Sequence, residues 1–222
     1  MSIATRLMSG SLLLSGGRIV TNGLAAVSMI VLARLLTPED FGLVAIATSV
    51  MMVLRAVTEL AMSQAVIRLE EPTRDHLDTA WTLGLLRGLV IVAVMCALAW
   101  PLAQIYGDER LGPLVIVISL ALLFSSLVNP RQALLLKELV FWQSVTVLII
   151  GRLVGIAASI TIAIVYQSYW ALVLGTVIGE AVSMAFSYVI LPYLPRFSLR
   201  SRADLLSFSV WLTLRSFVNT LN

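Results

Sequence analysis

Five arginines sit where almost nothing else is charged: Arg18 in "LLLSGGRIV", Arg55 in "MMVLRAVT", Arg87 in "TLGLLRGLVIVAV", Arg152 in "LIIGRLVGI" and Arg215 in "WLTLRSFV". A guanidinium stays protonated at any working pH and presents five N–H donors in a flat fork, a shape that matches phosphate and carboxylate oxygens. Two carboxylates share the same apolar setting, Glu59 and Glu180. Glu59 follows Arg55 by one helical turn, the spacing of an intrahelical pair. Glu180, among apolar, Gly and Ser neighbours, reads as a counter-ion for one of the arginines or as a titratable coupling site. Other chemistry is hard to assemble. The only histidine, His76, falls between Arg74, Asp75 and Asp78, and the lone cysteine, Cys96, lies in an apolar run where a small buried filler is expected. No glycine-rich phosphate loop, acidic metal motif or Ser-His-Asp set is present, so neither an enzyme nor a metal or cofactor site is expected.

The elements that hold these arginines follow from composition. The chain has 222 residues, 59% hydrophobic and only 12% charged, with mean hydropathy +0.99. A soluble domain carries about twice that charge, so this chain is read as an all-α integral membrane protein. Stretches of about 20 apolar residues cross a bilayer as helices, and six are expected, at about 11–36, 41–67, 77–105, 113–136, 142–167 and 169–191. A seventh begins near Asp204. The breaks carry stop and start signals. In "TPED" (37–40) a capping Thr precedes Pro at the first helical position, with two acids facing the positive helix end. "EEPTRDHLD", "YGDERLGP" and "LPYLPRFSLRSRAD" are polar turns bearing Pro or Gly, and "YQSYW" (166–170) offers aromatics for an interfacial belt.

Basic residues in the loops fix an orientation. Arg6, Arg68, Arg74, Arg131, Lys137, Arg196, Arg200 and Arg202 fall on one side, against Arg34 and Arg110 on the other. The positive-inside rule then puts the N-terminus in the cytoplasm. Measured from the cytoplasmic ends, the five intramembrane arginines lie roughly 10–16 Å deep at 1.5 Å per residue. Snorkelling to the headgroups explains one shallow arginine such as Arg18. Five near one level are better explained by a wet cavity that they line, because each costs roughly 2.5–3.5 kcal/mol at a helix centre. Basic loops facing anionic lipid also account for the pI of about 9.4 without nucleic acid. Gly16, Gly17 and Gly23, and the GxxxG of "GRLVG" (151–155), supply small residues for close helix packing.

The stretch "VLARLLTPEDFGLVAIATSVMMVL" (31–54) resembles the first-to-second helix junction of polysaccharide flippases, the Wzx-type branch of the multidrug/oligosaccharidyl-lipid/polysaccharide exporter superfamily. "LDTAWTLGLLRGLVIVAV" (77–94), the run 106–143, "YWALVLGTVIGEAV" (169–182) and "SLRSRADLLSFSVWLT" (198–213) agree with it in order. One departure is "ELAM" (59–62), which keeps the acid of the family's Asp-Leu-Gly-Leu run but replaces its glycine by Ala61. The resemblance implies a lobe of six helices in residues 1–195, then a linker and the start of a seventh helix in 196–222, as in a truncated or split member. It implies alternating-access translocation of undecaprenyl-pyrophosphate-linked oligosaccharide across the bacterial inner membrane, for lipopolysaccharide, exopolysaccharide or capsule synthesis. Arg18, Arg55, Arg87, Arg152 and Arg215 would bind the pyrophosphate, and Glu59 or Glu180 would couple ions or protons. A polysaccharide polymerase and chain-length proteins are the implied partners. The competing readings are an organic-cation antiporter of the same superfamily and an inactive half-transporter.

Overall fold

The computed structural model describes residues 3–58, 67, 69, 72–138 and 140–202, with side chains from Ser15 onward, Val57 excepted. Within them lie α1 (Ile3–Leu35), α2 (Pro38–Thr58), α3 (Arg74–Tyr106), α4 (Leu111–Ser126), α5 (Arg131–Lys137), α6 (Trp142–Tyr166) and α7 (Trp170–Ile190), and no strand. Four of these are long and apolar enough to cross a membrane: Ser15–Leu35 of α1, and α3, α6 and α7. The protein is an all-α integral membrane protein. Arg215 and Glu59, with the whole of the expected seventh helix, lie outside the described residues.

The expected breaks have local causes. Thr37 closes a reciprocal cap on α2: its N–H and hydroxyl donate to Asp40 Oδ2 at 3.1 and 2.9 Å, and the Asp40 N–H donates back to Thr37 Oγ1 at 3.3 Å. At the head of α3 the same exchange uses His76, whose Nδ1 accepts from the Thr73 N–H at 3.2 Å. The sole histidine therefore belongs to a helix cap. Gly107 ends α3 at φ 69°, returning N–H bonds to the last carbonyls.

The span expected at 113–136 is not one straight helix. It is α4 followed by α5, bent by 54°. Pro130 has no N–H to continue the ladder and disfavours helical backbone at Asn129. Asn129, 1% exposed, fills the gap. Its N–H donates to Ser187 Oγ at 3.1 Å, its amide donates to the Leu191 carbonyl at 2.6 Å, and its Oδ1 accepts from the Arg131 N–H at 3.0 Å. The bend is thereby bolted to the end of α7.

α7 is central, packing on α6 on one side and α4 on the other; α1 packs chiefly on α6, α2 on α4, and α3 on α4. The α6–α7 crossing is backbone on backbone. A Cβ at Gly155 would stand 2.8 Å from the Gly175 carbonyl oxygen, and one at Gly179 would stand 3.0 Å from that of Gly151. Two GxxxG runs, 151–155 and 175–179, face each other. In lipid, where apolar burial drives little association, such close approach supplies the packing energy. On the other flank Ile91 and Met95 of α3, Leu114 and Ile118 of α4 and Val173 of α7 form a tight apolar core. Cys96, expected to be a buried filler, is exposed on the outer wall of the bundle. The core face of α3 passes through Met95 and Ala99 instead, one position off.

Candidate functional site

Because α1 leans on α6 while α2 and α3 lean on α4, a hollow opens over α7. Its volume is about 1220 Å³. Arg18 of α1, Arg55 of α2, Arg87 of α3, Arg152 of α6 and Glu180 of α7 all line it. The structure thus brings four of the five intramembrane arginines and one of the two acids onto one surface, each from a different helix. Among the described lining residues no other side chain is charged, so the cavity carries four positive groups against one negative.

The arginines are held differently. Arg87, half-buried, donates from Nε to Thr58 Oγ1 and from its terminal nitrogen to the Arg55 carbonyl, both at 3.4 Å. These long bonds tie α3 to α2. Arg18, Arg55 and Arg152 are exposed to the cavity or its mouth, and their guanidiniums make no hydrogen bond or ion pair with another described residue. Glu180, half-buried, lies in the electrostatic field of Arg55 and Arg152 without a direct ion pair to either among the described residues. The carboxylate is close enough to offset part of the positive potential and far enough to leave the guanidinium forks open.

Further polar groups complete the lining: Asn22, Thr48, Gln132, Ser144 and Ser183. Gln132 Nε2 and Ser144 Oγ are buried without a partner among the described residues, a condition that water or a ligand relieves. None of these was expected from the sequence. Their signal was available as polar side chains within otherwise apolar spans. Between the arginines the wall is bare backbone at Gly151, Gly155, Gly175 and Gly179. Among the described residues no three His, Cys, Asp or Glu side chains gather as a metal site. The arrangement can bind a polyanion in a wet, membrane-embedded chamber.

Fold and cavity together define a polytopic helical membrane protein with a cationic intramembrane chamber. The family described as "Polysaccharide biosynthesis protein" matches residues 31–222, and the chain belongs to it. It is similar to the lipopolysaccharide biosynthesis protein WzxC of Escherichia coli (strain K12), 26% identical over 232 residues, covering 100% of this chain and 46% of that one. It is also similar to the succinoglycan biosynthesis transport protein ExoT of Rhizobium meliloti (strain 1021), 24% identical over 177 residues, or 80% of this chain and 36% of that relative. The chain spans less than half the length of these relatives. No solved structure matches it.

Proposed function

We propose that the chain forms the substrate-binding lobe of a flippase that moves undecaprenyl-pyrophosphate-linked oligosaccharide from the inner to the outer leaflet of the bacterial inner membrane. It does so without enzymatic chemistry and with its N-terminus in the cytoplasm. The carrying observation is the convergence of Arg18, Arg55, Arg87 and Arg152 on one cavity of about 1220 Å³. A diphosphate offers several oxygens at fixed spacing, and forked guanidiniums from separate helices can each take a pair. The Asn, Gln, Ser and Thr lining suits glycan hydroxyls, while a polyprenyl tail stays in lipid. Arg215 and Glu59 belong to the proposal from sequence alone. Glu180 sits in the field of Arg55 and Arg152, so an arriving diphosphate must displace its influence. Protonation or ion binding at Glu180 strengthens the cavity for anion, and its reversal assists release, which couples alternating access to an ion gradient. The relatives' printed roles in lipopolysaccharide and succinoglycan biosynthesis agree with this class of cargo.

The test is substitution at the native locus. R87A and R152A are each expected to abolish surface polysaccharide while membrane insertion, checked by immunoblot of the membrane fraction, is retained. R152K should restore part of the export if charge alone matters, and little if forked hydrogen bonding does. Normal export by the R87A/R152A double variant would overturn the proposal.

A further inference from the structure

A second hollow, of about 480 Å³, opens where the start of α3, the end of α4 and the end of α7 meet the segment that follows α7. That volume lies within the roughly 300–1,000 Å³ range of small-molecule sites. Trp81, Leu127, Met184, Tyr188, Leu194 and Pro195 line it. The polar atoms of its aromatics are consumed locally. Trp81 Nε1 donates to the Tyr188 hydroxyl, which donates to the Leu127 carbonyl, both at 2.8 Å. What faces the hollow is therefore apolar.

The rim is cationic. Arg74 donates to the Leu194 carbonyl at 3.2 Å and Arg131 to the Pro192 carbonyl at 3.0 Å, so two guanidiniums are anchored to the segment that edges the hollow. Arg196, exposed, follows on the same segment and is fastened through its backbone N–H, 3.0 Å from Asp78 Oδ1. Asp78, buried, faces Arg74 at 3.8 Å and also accepts from the Tyr193 hydroxyl, and Asp75, exposed, follows Arg74 on α3. Each guanidinium has five donors and uses few of them here. Beside the rim Leu194 and Phe197 are 81% and 77% exposed, Phe197 standing edge-on to Trp81.

We propose that this hollow is a binding site for one anionic phospholipid, with an acyl chain in the slot and the phosphate across Arg74, Arg131 and Arg196. Charge complementarity selects the occupant. Asp78 offsets part of the charge on Arg74. A neutral lipid leaves Arg131 and Arg196 with no acidic partner among the described residues, and a soluble anion leaves the aromatic slot unfilled. The arginine count assigns this end to the cytoplasmic leaflet, where anionic lipids concentrate. Trp81 also lines the large cationic cavity, so a chain in the slot buttresses one wall of that chamber. The site is separate from the one proposed for substrate and stands or falls without it.

The test uses a variant of the chain that keeps Trp81 as its only tryptophan, with Trp100, Trp142, Trp170 and Trp211 changed to Phe, reconstituted in phosphatidylcholine bilayers. Brominated phosphatidylglycerol is expected to quench Trp81 more strongly than brominated phosphatidylcholine at equal mole fraction. R196Q and R74Q should each lower that preference roughly fivefold, the equivalent of about 1 kcal/mol per basic residue near an anionic surface. R196Q is the cleaner variant because its side chain fastens no described residue, and far-ultraviolet circular dichroism confirms that helicity is kept. Equal quenching by the two brominated lipids overturns the proposal. So does a preference that survives both substitutions. Relief of quenching by undecaprenyl phosphate but not by unlabelled phosphatidylglycerol assigns the slot to a polyprenyl tail and overturns it as well.

Discussion

The α6–α7 crossing makes one substitution act with opposite sign at two glycines. At Gly155 an added Cβ meets the Gly175 carbonyl oxygen at 2.8 Å and the Gly179 Cα at 3.1 Å. Both are backbone atoms, so no side chain can rotate away. Ordinary carbon contacts sit at about 3.5–4.0 Å, so G155A must part the helices by roughly 0.5–1 Å, which forfeits about a quarter to a half of each contact's attraction along the seam. Overpacking of this kind costs about 1–3 kcal/mol, against an intrinsic helix gain of about 0.5–1 kcal/mol from Gly to Ala. The net expectation is destabilisation, by as much as about 2.5 kcal/mol. At Gly23 of α1 nothing lies within 4 Å of an added Cβ, so G23A keeps the gain alone, about 0.5–1 kcal/mol. Unfolding of the purified chain by sodium dodecyl sulfate, followed by far-ultraviolet circular dichroism, reads both. A G155A midpoint equal to wild type, or shifted with G23A in the same direction, refutes backbone contact as the source of α6–α7 cohesion.

Two further outcomes concern the polar fastenings. Burial first, then the bond to Asp78, raises the Tyr193 phenol above its ordinary value near 10. A raised folded value means that this contribution is fully present below the ordinary value and is lost as pH climbs through the raised one. The wild-type minus Y193F difference in phenolate absorbance should therefore titrate above 10, and titration at the ordinary value would refute the buried contact. N129L keeps the backbone N–H that bonds Ser187 but leaves the Leu191 carbonyl and the Arg131 N–H without their side-chain partner, at about 1–3 kcal/mol for each buried polar group left unmet. It should lower the thermal midpoint, whereas an unchanged midpoint would show that the bend does not need its clamp.

Sequence reached the membrane class and the Thr37 cap because both are local, and it missed the Thr73 cap because a histidine at the third helical position is an uncommon partner there. Thr37 and Asp40 are three residues apart, and apolar runs announce spans by length alone. The cavity was legible one residue at a time: Arg18, Arg55, Arg87, Arg152 and Glu180 were each visible as charge in an apolar stretch, and topology aligned their depths. What stayed hidden was pairwise and distant. Asp78 meets Tyr193 and Arg196 across more than a hundred residues, and no periodicity records such a contact. Asn129 was readable as part of an Asn-Pro turn signal, yet its partners on α7 were not. The second GxxxG, at 175–179, carried the same cue as the first and becomes informative only when the two are seen to cross.

That crossing also bears on what the chamber costs to fill. Part of its wall is glycine backbone, at Gly151, Gly155, Gly175 and Gly179, which has no rotamers to freeze. Ordering a flexible side chain around a ligand costs about 0.5–1.5 kcal/mol each, and this stretch of wall adds nothing to that sum. The entropy lost on binding therefore falls on the guanidiniums, on polar side chains such as Asn22 and Gln132, and on the ligand.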